Sequence, residues 1–134
     1  MTYHELLQYA EGTVQPCQLN HRVKVGSTAC VLETASGAVF VGKNLVAACA
    51  LGYCAEQAAI TEMLNRGENV IKSLLILDHE GMLLPPCGKC LELITQLDGK
   101  NRDATVYLDG GKSVTVGELL PLDWKRVKET AKPE

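Results

Sequence analysis

The stretch Pro85-Pro86-Cys87-Gly88-Lys89-Cys90 constrains this chain more than any other. Two prolines stop whatever precedes them. Cys87, Cys90, Leu91, Ile94 and Leu97 then recur at helical spacing, which puts both thiols on one face at a helix start. Cys54 opens a second helical pattern through Ala58, Ala59, Met63 and Leu64, and Glu56 follows within the same first turn. In a first turn, residues two apart can both flank the open N-terminal end, one as a metal ligand and one facing substrate. A fold that uses all three thiols on one ion must therefore bring two helix starts together.

Soft sulfur ligands select zinc, and tetrahedral geometry accepts ligands from two elements. Three protein ligands, Cys54, Cys87 and Cys90, leave one position open, the mark of a catalytic zinc at which water becomes acidic. The positive ends of two helices offset the thiolate charge and favour the thiolate forms of Cys54 and Cys87. Glu56 is placed to take a proton from that water and pass it on, which is hydrolytic machinery. Two other readings stay open. A structural zinc would be closed by Cys49, His21 or His79 as fourth ligand, and a redox pair Cys87-x-x-Cys90 would leave Cys54 and Glu56 unused.

A chain of 134 residues is expected to form one domain over 1–134, with a polar tail over 125–134. The net charge of −3 comes with scattered Lys and Arg and no basic run, which argues against long nucleic acids as ligands. The start lacks a basic region before an apolar one. The longest apolar stretch, Leu45 to Ala55, is too short to span a bilayer, so a soluble cytoplasmic protein without membrane partners is expected. Six cysteines without an export signal read as reduced thiols and metal ligands; Cys30 and Cys49 read as small buried hydrophobes.

Along the chain, Thr2 and Glu5 form a capping-box pattern that starts a helix to about Glu11, and Gly12 to Asn20 reads as a loop. Val23 to Leu32 and Ala38 to Val41 read as two strands joined by a tight turn at Ser36-Gly37. Gly42 to Gly52 is expected to be a loop, and the Cys54 helix to end at Gly67. The unbroken run Leu74-Leu75-Ile76-Leu77 suits a strand covered on both faces. Ala104 to Leu108 and Lys112 to Val116 complete about five strands, and Thr115 with Glu118 caps a short helix cut off at Pro121. The order predicts an α/β fold with a mixed sheet between helices on both faces.

The pattern of ligand-x-Glu followed by Pro-Cys-x-x-Cys is that of zinc deaminases acting on amino-bearing rings. At Gly42-Lys43-Asn44, Cys54-Ala55-Glu56, Pro86-Cys87-Gly88-Lys89-Cys90 and Val116-Gly117-Glu118-Leu119-Leu120-Pro121 the sequence resembles the cytidine deaminase family. The likeness is to its small homotetrameric form with a Cys ligand, and to blasticidin S deaminase relatives. The resemblance implies a three-layer cytidine deaminase-like fold, zinc on Cys54, Cys87 and Cys90, and Glu56 as proton shuttle. It also implies water attack at C4 of a cytosine ring, and a homotetramer whose pockets are completed by neighbouring subunits. Asn44, Ala55 and Trp124 are the implied substrate-binding residues. Departures fall at Val46, where the cytidine enzymes carry the Glu that binds ribose, at Gln57 in place of Arg, at Leu91-Glu92 in place of Arg-Gln, and near Val23, where a stacking aromatic is usual.

Overall fold

A computed structural model describes residues 1–131. Helix α1 (Tyr3–Thr13) precedes strands β1 (Cys17–Gln18), β2 (Lys24–Thr34) and β3 (Val39–Val46). Helix α2 (Ala55–Asn65) leads to β4 (Ile71–Asp78) and β5 (Leu83–Leu84). Helix α3 (Gly88–Leu97) then runs into a 3-10 turn, Gly99–Asp103, followed by β6 (Thr105–Tyr107) and β7 (Ser113–Thr115). Short helix α4 (Val116–Leu119) and helix α5 (Trp124–Ala131) end the described residues.

The strands form one seven-stranded mixed sheet. β2 pairs antiparallel with both β3 and β4, β4 runs parallel to β6 across the α3 crossover, and β6 turns back into β7. The two strands beyond the five expected are the two-residue β1 and β5, which pair with β2 and β4 respectively.

Helices cover both faces, and the pleat divides the core between them. On β4, Leu74 and Ile76 pack with Cys30 and Leu32 of β2 against Ala59, Ile60 and Met63 of α2 and Leu91 and Ile94 of α3. Their neighbours Leu75 and Leu77 face the other way with Val31, against Leu6 and Ala10 of α1. An apolar run without alternation is what two covered faces require.

The β2–β3 hairpin closes where expected, with the Gly37 N–H donating to the Thr34 carbonyl and Gly37 at φ +92. β3, however, continues through Lys43, Asn44 and Val46, a stretch expected to be loop. Leu45 is further paired with Tyr53. Gly42 sits in this extension because α2 lies directly on it: a Cβ there would meet Ala59 N at 2.3 Å and Ala55 O at 2.8 Å. That close approach sets the start of α2 against the sheet.

Within the expected polar tail over 125–134, the chain is helical from Trp124 to Ala131, and residues 132–134 lie outside the described residues. No apolar face drives this helix onto the body. Instead Lys125 pairs with Glu92 of α3 and with Asp123 (2.9 Å), and Arg102 reaches Asp123 at 3.4 Å.

Candidate metal centre and its cavity

Cys54 and Cys87 are the N-cap residues of α2 and α3, each with extended backbone, and Cys90 lies in the first turn of α3. The two helix starts converge. The Cys54 and Cys87 sulfurs are 3.6 Å apart and those of Cys87 and Cys90 3.3 Å. One ligand atom from each of Cys54, Glu56, Cys87 and Cys90 lies within 4.8 Å of all the others. Zinc–sulfur bonds of about 2.3 Å at tetrahedral angles give sulfur spacings of about 3.8 Å, so the group is close to the size such an ion needs.

Glu56 is buried, 5% exposed, and its Oε2 accepts the Cys87 backbone N–H at 3.3 Å. The carboxylate of one helix start is thereby tied to the ligand residue of the other. Gln57 performs a similar service at Cys54, whose N–H donates to Gln57 Oε1 at 3.3 Å.

The electrostatics of the group favour a cation. Burial pushes the Cys54 and Cys90 thiols up, and the contact with Cys87 and the charge of Glu56 push the same way, while for Cys54 the hydrogen bond with Cys90 works downward without overcoming them. Cys30, behind them in the core, is raised by burial first and by Glu56 second. Clustered thiols against a carboxylate shed their protons only when a divalent ion repays the repulsion. Donor type, spacing and charge all fit zinc.

A cavity of about 260 Å³ opens from this group and is lined by Thr28, Asn44, Leu45, Val46, Tyr53, Cys54, Glu56, Ile76, Leu84, Pro85 and Cys87. Larger hollows elsewhere, such as one of about 690 Å³ between the 3-10 turn and α5, contain no grouping of this kind among the described residues.

The family model for the cytidine and deoxycytidylate deaminase zinc-binding region matches residues 1–107. The chain belongs to this deaminase family. Solved cytidine deaminases share its fold. That of Mycobacterium leprae superposes with a TM-score of 0.73 at 22% identity, covering 90% of this chain and 98% of that one. That of Burkholderia pseudomallei gives 0.72 at 26% identity, covering 90% and 98%, and that of Bacillus anthracis 0.72 at 14%, covering 95% and 92%. Family and fold together support zinc-dependent hydrolytic deamination as the chemistry of this deaminase domain.

Of the residues singled out from the sequence, Cys54, Glu56, Cys87 and Cys90 come together, and Asn44 lies on the cavity wall. Ala55 is fully buried in the first turn of α2 between Cys54 and Glu56. Trp124 is not brought to the cavity of its own chain: it stands 58% exposed at the start of α5. Neither Cys49, His21 nor His79 joins the group among the described residues, so none closes it as a fourth ligand. Sequence reasoning missed Thr28, Ile76 and Leu84 as lining residues. Thr28 sits beside a slip in the β2–β3 register, and no local pattern marks such a place.

No helix among the described residues is long and apolar enough to cross a membrane.

Proposed function

We propose that this deaminase removes the exocyclic amino group of a cytosine ring carried as a free nucleoside, giving the uracil nucleoside and ammonia. The observation that carries the reading is the convergence of three thiols and one buried carboxylate beside a cavity of about 260 Å³ that Cys54, Glu56 and Cys87 line. Zinc held by Cys54, Cys87 and Cys90 would supply the Lewis acidity that makes water nucleophilic near neutral pH.

The chain's own part in the reaction falls to Glu56. Its Oε2 is steadied by the Cys87 amide, which leaves Oε1 to meet water and ring. Glu56 accepts a proton as the water oxygen bonds to C4 and delivers it to N3. It then takes the second proton of that oxygen and hands it to the departing amine, so that the C4–N bond breaks with ammonia as leaving group. Burial of the carboxylate keeps bulk water from short-circuiting these transfers. Ala55 offers the backbone of the α2 first turn to the ring, and Asn44 offers the edge of its amide to the sugar.

Homotetramer formation belongs to the same proposal. Trp124, exposed on α5, would close the pocket of a neighbouring subunit, since it does not reach its own. A second substrate, blasticidin S, is favoured by one feature, the valine at position 46 on the cavity wall.

The test is ammonia release by the zinc-loaded protein offered cytidine, deoxycytidine and blasticidin S separately, with Glu56→Ala as blank. Release from a cytosine nucleoside that vanishes in the variant is the expected result. Equal release with and without Glu56, or none from any of the three, would sink the reading.

A further inference from the structure

Cys87-x-x-Cys90 is also the spacing of a dithiol that closes and opens as a disulfide, and hydrolysis leaves that chemistry unused. Both residues belong to the start of α3, Cys87 as N-cap and Cys90 in the first turn. Their sulfurs stand 3.3 Å apart, against about 2.0 Å in a disulfide. A short movement of two side chains on one helical turn closes that gap.

The three thiols of the centre differ in access. Cys87 is exposed, Cys54 is partly covered and Cys90 is fully buried. Cys54 and Cys87 line the cavity, and Cys90 does not. A small oxidant entering there meets Cys54 or Cys87 first, with Cys90 shielded behind them. Cys87 is also the middle sulfur, 3.6 Å from Cys54 and 3.3 Å from Cys90. Cys17 and Cys49 are exposed too, but neither belongs to the group among the described residues.

Two pairings are therefore open to Cys87. A bond to Cys54 draws two helix starts together, although α2 already lies on β3 as closely as Gly42 permits. A bond to Cys90 stays within α3 and asks nothing of Leu91 and Ile94, which hold that helix in the core. The second starts from the shorter distance and moves less of the fold.

We propose that Cys87 and Cys90 form a redox switch, in which a small peroxide oxidises the zinc-holding dithiol to a disulfide and the zinc is released. The inference rests on the zinc-bound deaminase reading of the same site. The Cys87 thiolate attacks one oxygen of hydrogen peroxide, so that an S–O bond forms as the O–O bond breaks, and the departing hydroxide is protonated to water. The Cys90 thiolate then attacks the sulfenic sulfur of Cys87, forming the S–S bond and expelling a second hydroxide, which also becomes water. The two sulfurs lose two electrons, the peroxide gains them, and solvent supplies two protons. Of the group only Cys54 and Glu56 then stay free to bind, fewer protein ligands than zinc sites hold.

The test treats zinc-loaded protein with hydrogen peroxide and follows zinc with a chromophoric chelator, thiols by intact mass and the new bond by peptide mapping. The expected result is release of the bound zinc and a peptide in which Cys87 is joined to Cys90, both undone by dithiothreitol with added zinc. The double variant Cys17→Ser, Cys49→Ser lacks the other exposed thiols; it is expected to release zinc equally and to lose the mass of two hydrogens. Zinc retained at a peroxide concentration that oxidises Cys17 or Cys49 overturns the proposal, and so does a bond from Cys87 to Cys54. Ammonia release from the cytosine nucleosides is measured before and after peroxide. If zinc leaves as expected from a protein that deaminates none of them, the deaminase reading fails and the switch stands. If ammonia release continues after peroxide with zinc in place, the switch fails and the deaminase reading stands. A protein that takes up no zinc overturns both.

Discussion

Glu56 is asked to do two things that conflict. In the proposed reaction it accepts and passes on a proton, yet it sits buried beside three sulfurs that would carry negative charge on holding zinc. The Cys87 N–H and the positive ends of α2 and α3 are what the structure sets against that repulsion. Glu56→Gln keeps the size and the hydrogen bond to Cys87 while removing the base. The expected outcome is zinc content unchanged by elemental analysis and kcat down by about 10²- to 10⁴-fold, the usual contribution of a positioned general acid–base. Loss of zinc from this variant would mean that Glu56 is itself a ligand.

At the scale of elements, the site depends on how closely α2 can lie on β3. Gly42 permits it, since a Cβ would run into the backbone of Ala55 and Ala59, which cannot swing aside as a flexible side chain would. Gly42→Ala is expected to cost about 1–3 kcal/mol in urea unfolding, as overpacking does. Zinc affinity is expected to fall with it, because the same displacement moves Cys54 away from Cys87. A variant that loses stability but holds zinc as tightly would separate the two and remove Gly42 from the account of the site. The elements that the sequence announces are those with local signals. The capping boxes at Thr2 and Thr115, the two-faced run at Leu74 to Leu77 and the Cys-bearing helix starts all appear where expected. The rest depends on partners distant in sequence. The outer half of β3 carries Lys43 and Asn44, which look like loop residues until the Asn44 amide is seen holding the β2 irregularity. β1 and β5 exist because β2 and β4 run on past their other neighbours. Cys54, Glu56, Cys87 and Cys90 were legible as a group because their chemistry demands convergence, whereas Thr28 and Leu84 become lining residues through topology alone.

On the scale of the whole molecule, α5 is the part attached by charge rather than by a core. Its Trp124 and Val127 are exposed, and its hold on the body runs through Asp123, Lys125, Arg102 and Glu92. Burial alone would raise the Asp123 carboxyl, but hydrogen bonds from Lys125 and the charges of Lys125 and Arg102 bring it below its ordinary value. For Lys125 burial works downward, and the bonds to Glu92 and Asp123 overcome it and raise the ammonium. The signs set the pH window. A depressed carboxyl contributes its full stability above the ordinary value of 3.8 and loses it as pH falls through the lower folded value. A raised ammonium contributes fully below 10.5 and loses its share as pH rises through the higher folded value. Hydrogen exchange of the α5 amides, Val127 included, is therefore expected to stay slow between those limits. Once the intrinsic pH dependence of exchange is removed, α5 is expected to open first in acid, before β2 or β4. Asp123→Asn should bring that opening to neutral pH while leaving the sheet protected. If α5 in this variant stays as protected as before, the clamp of Asp123, Lys125, Arg102 and Glu92 is not what holds it.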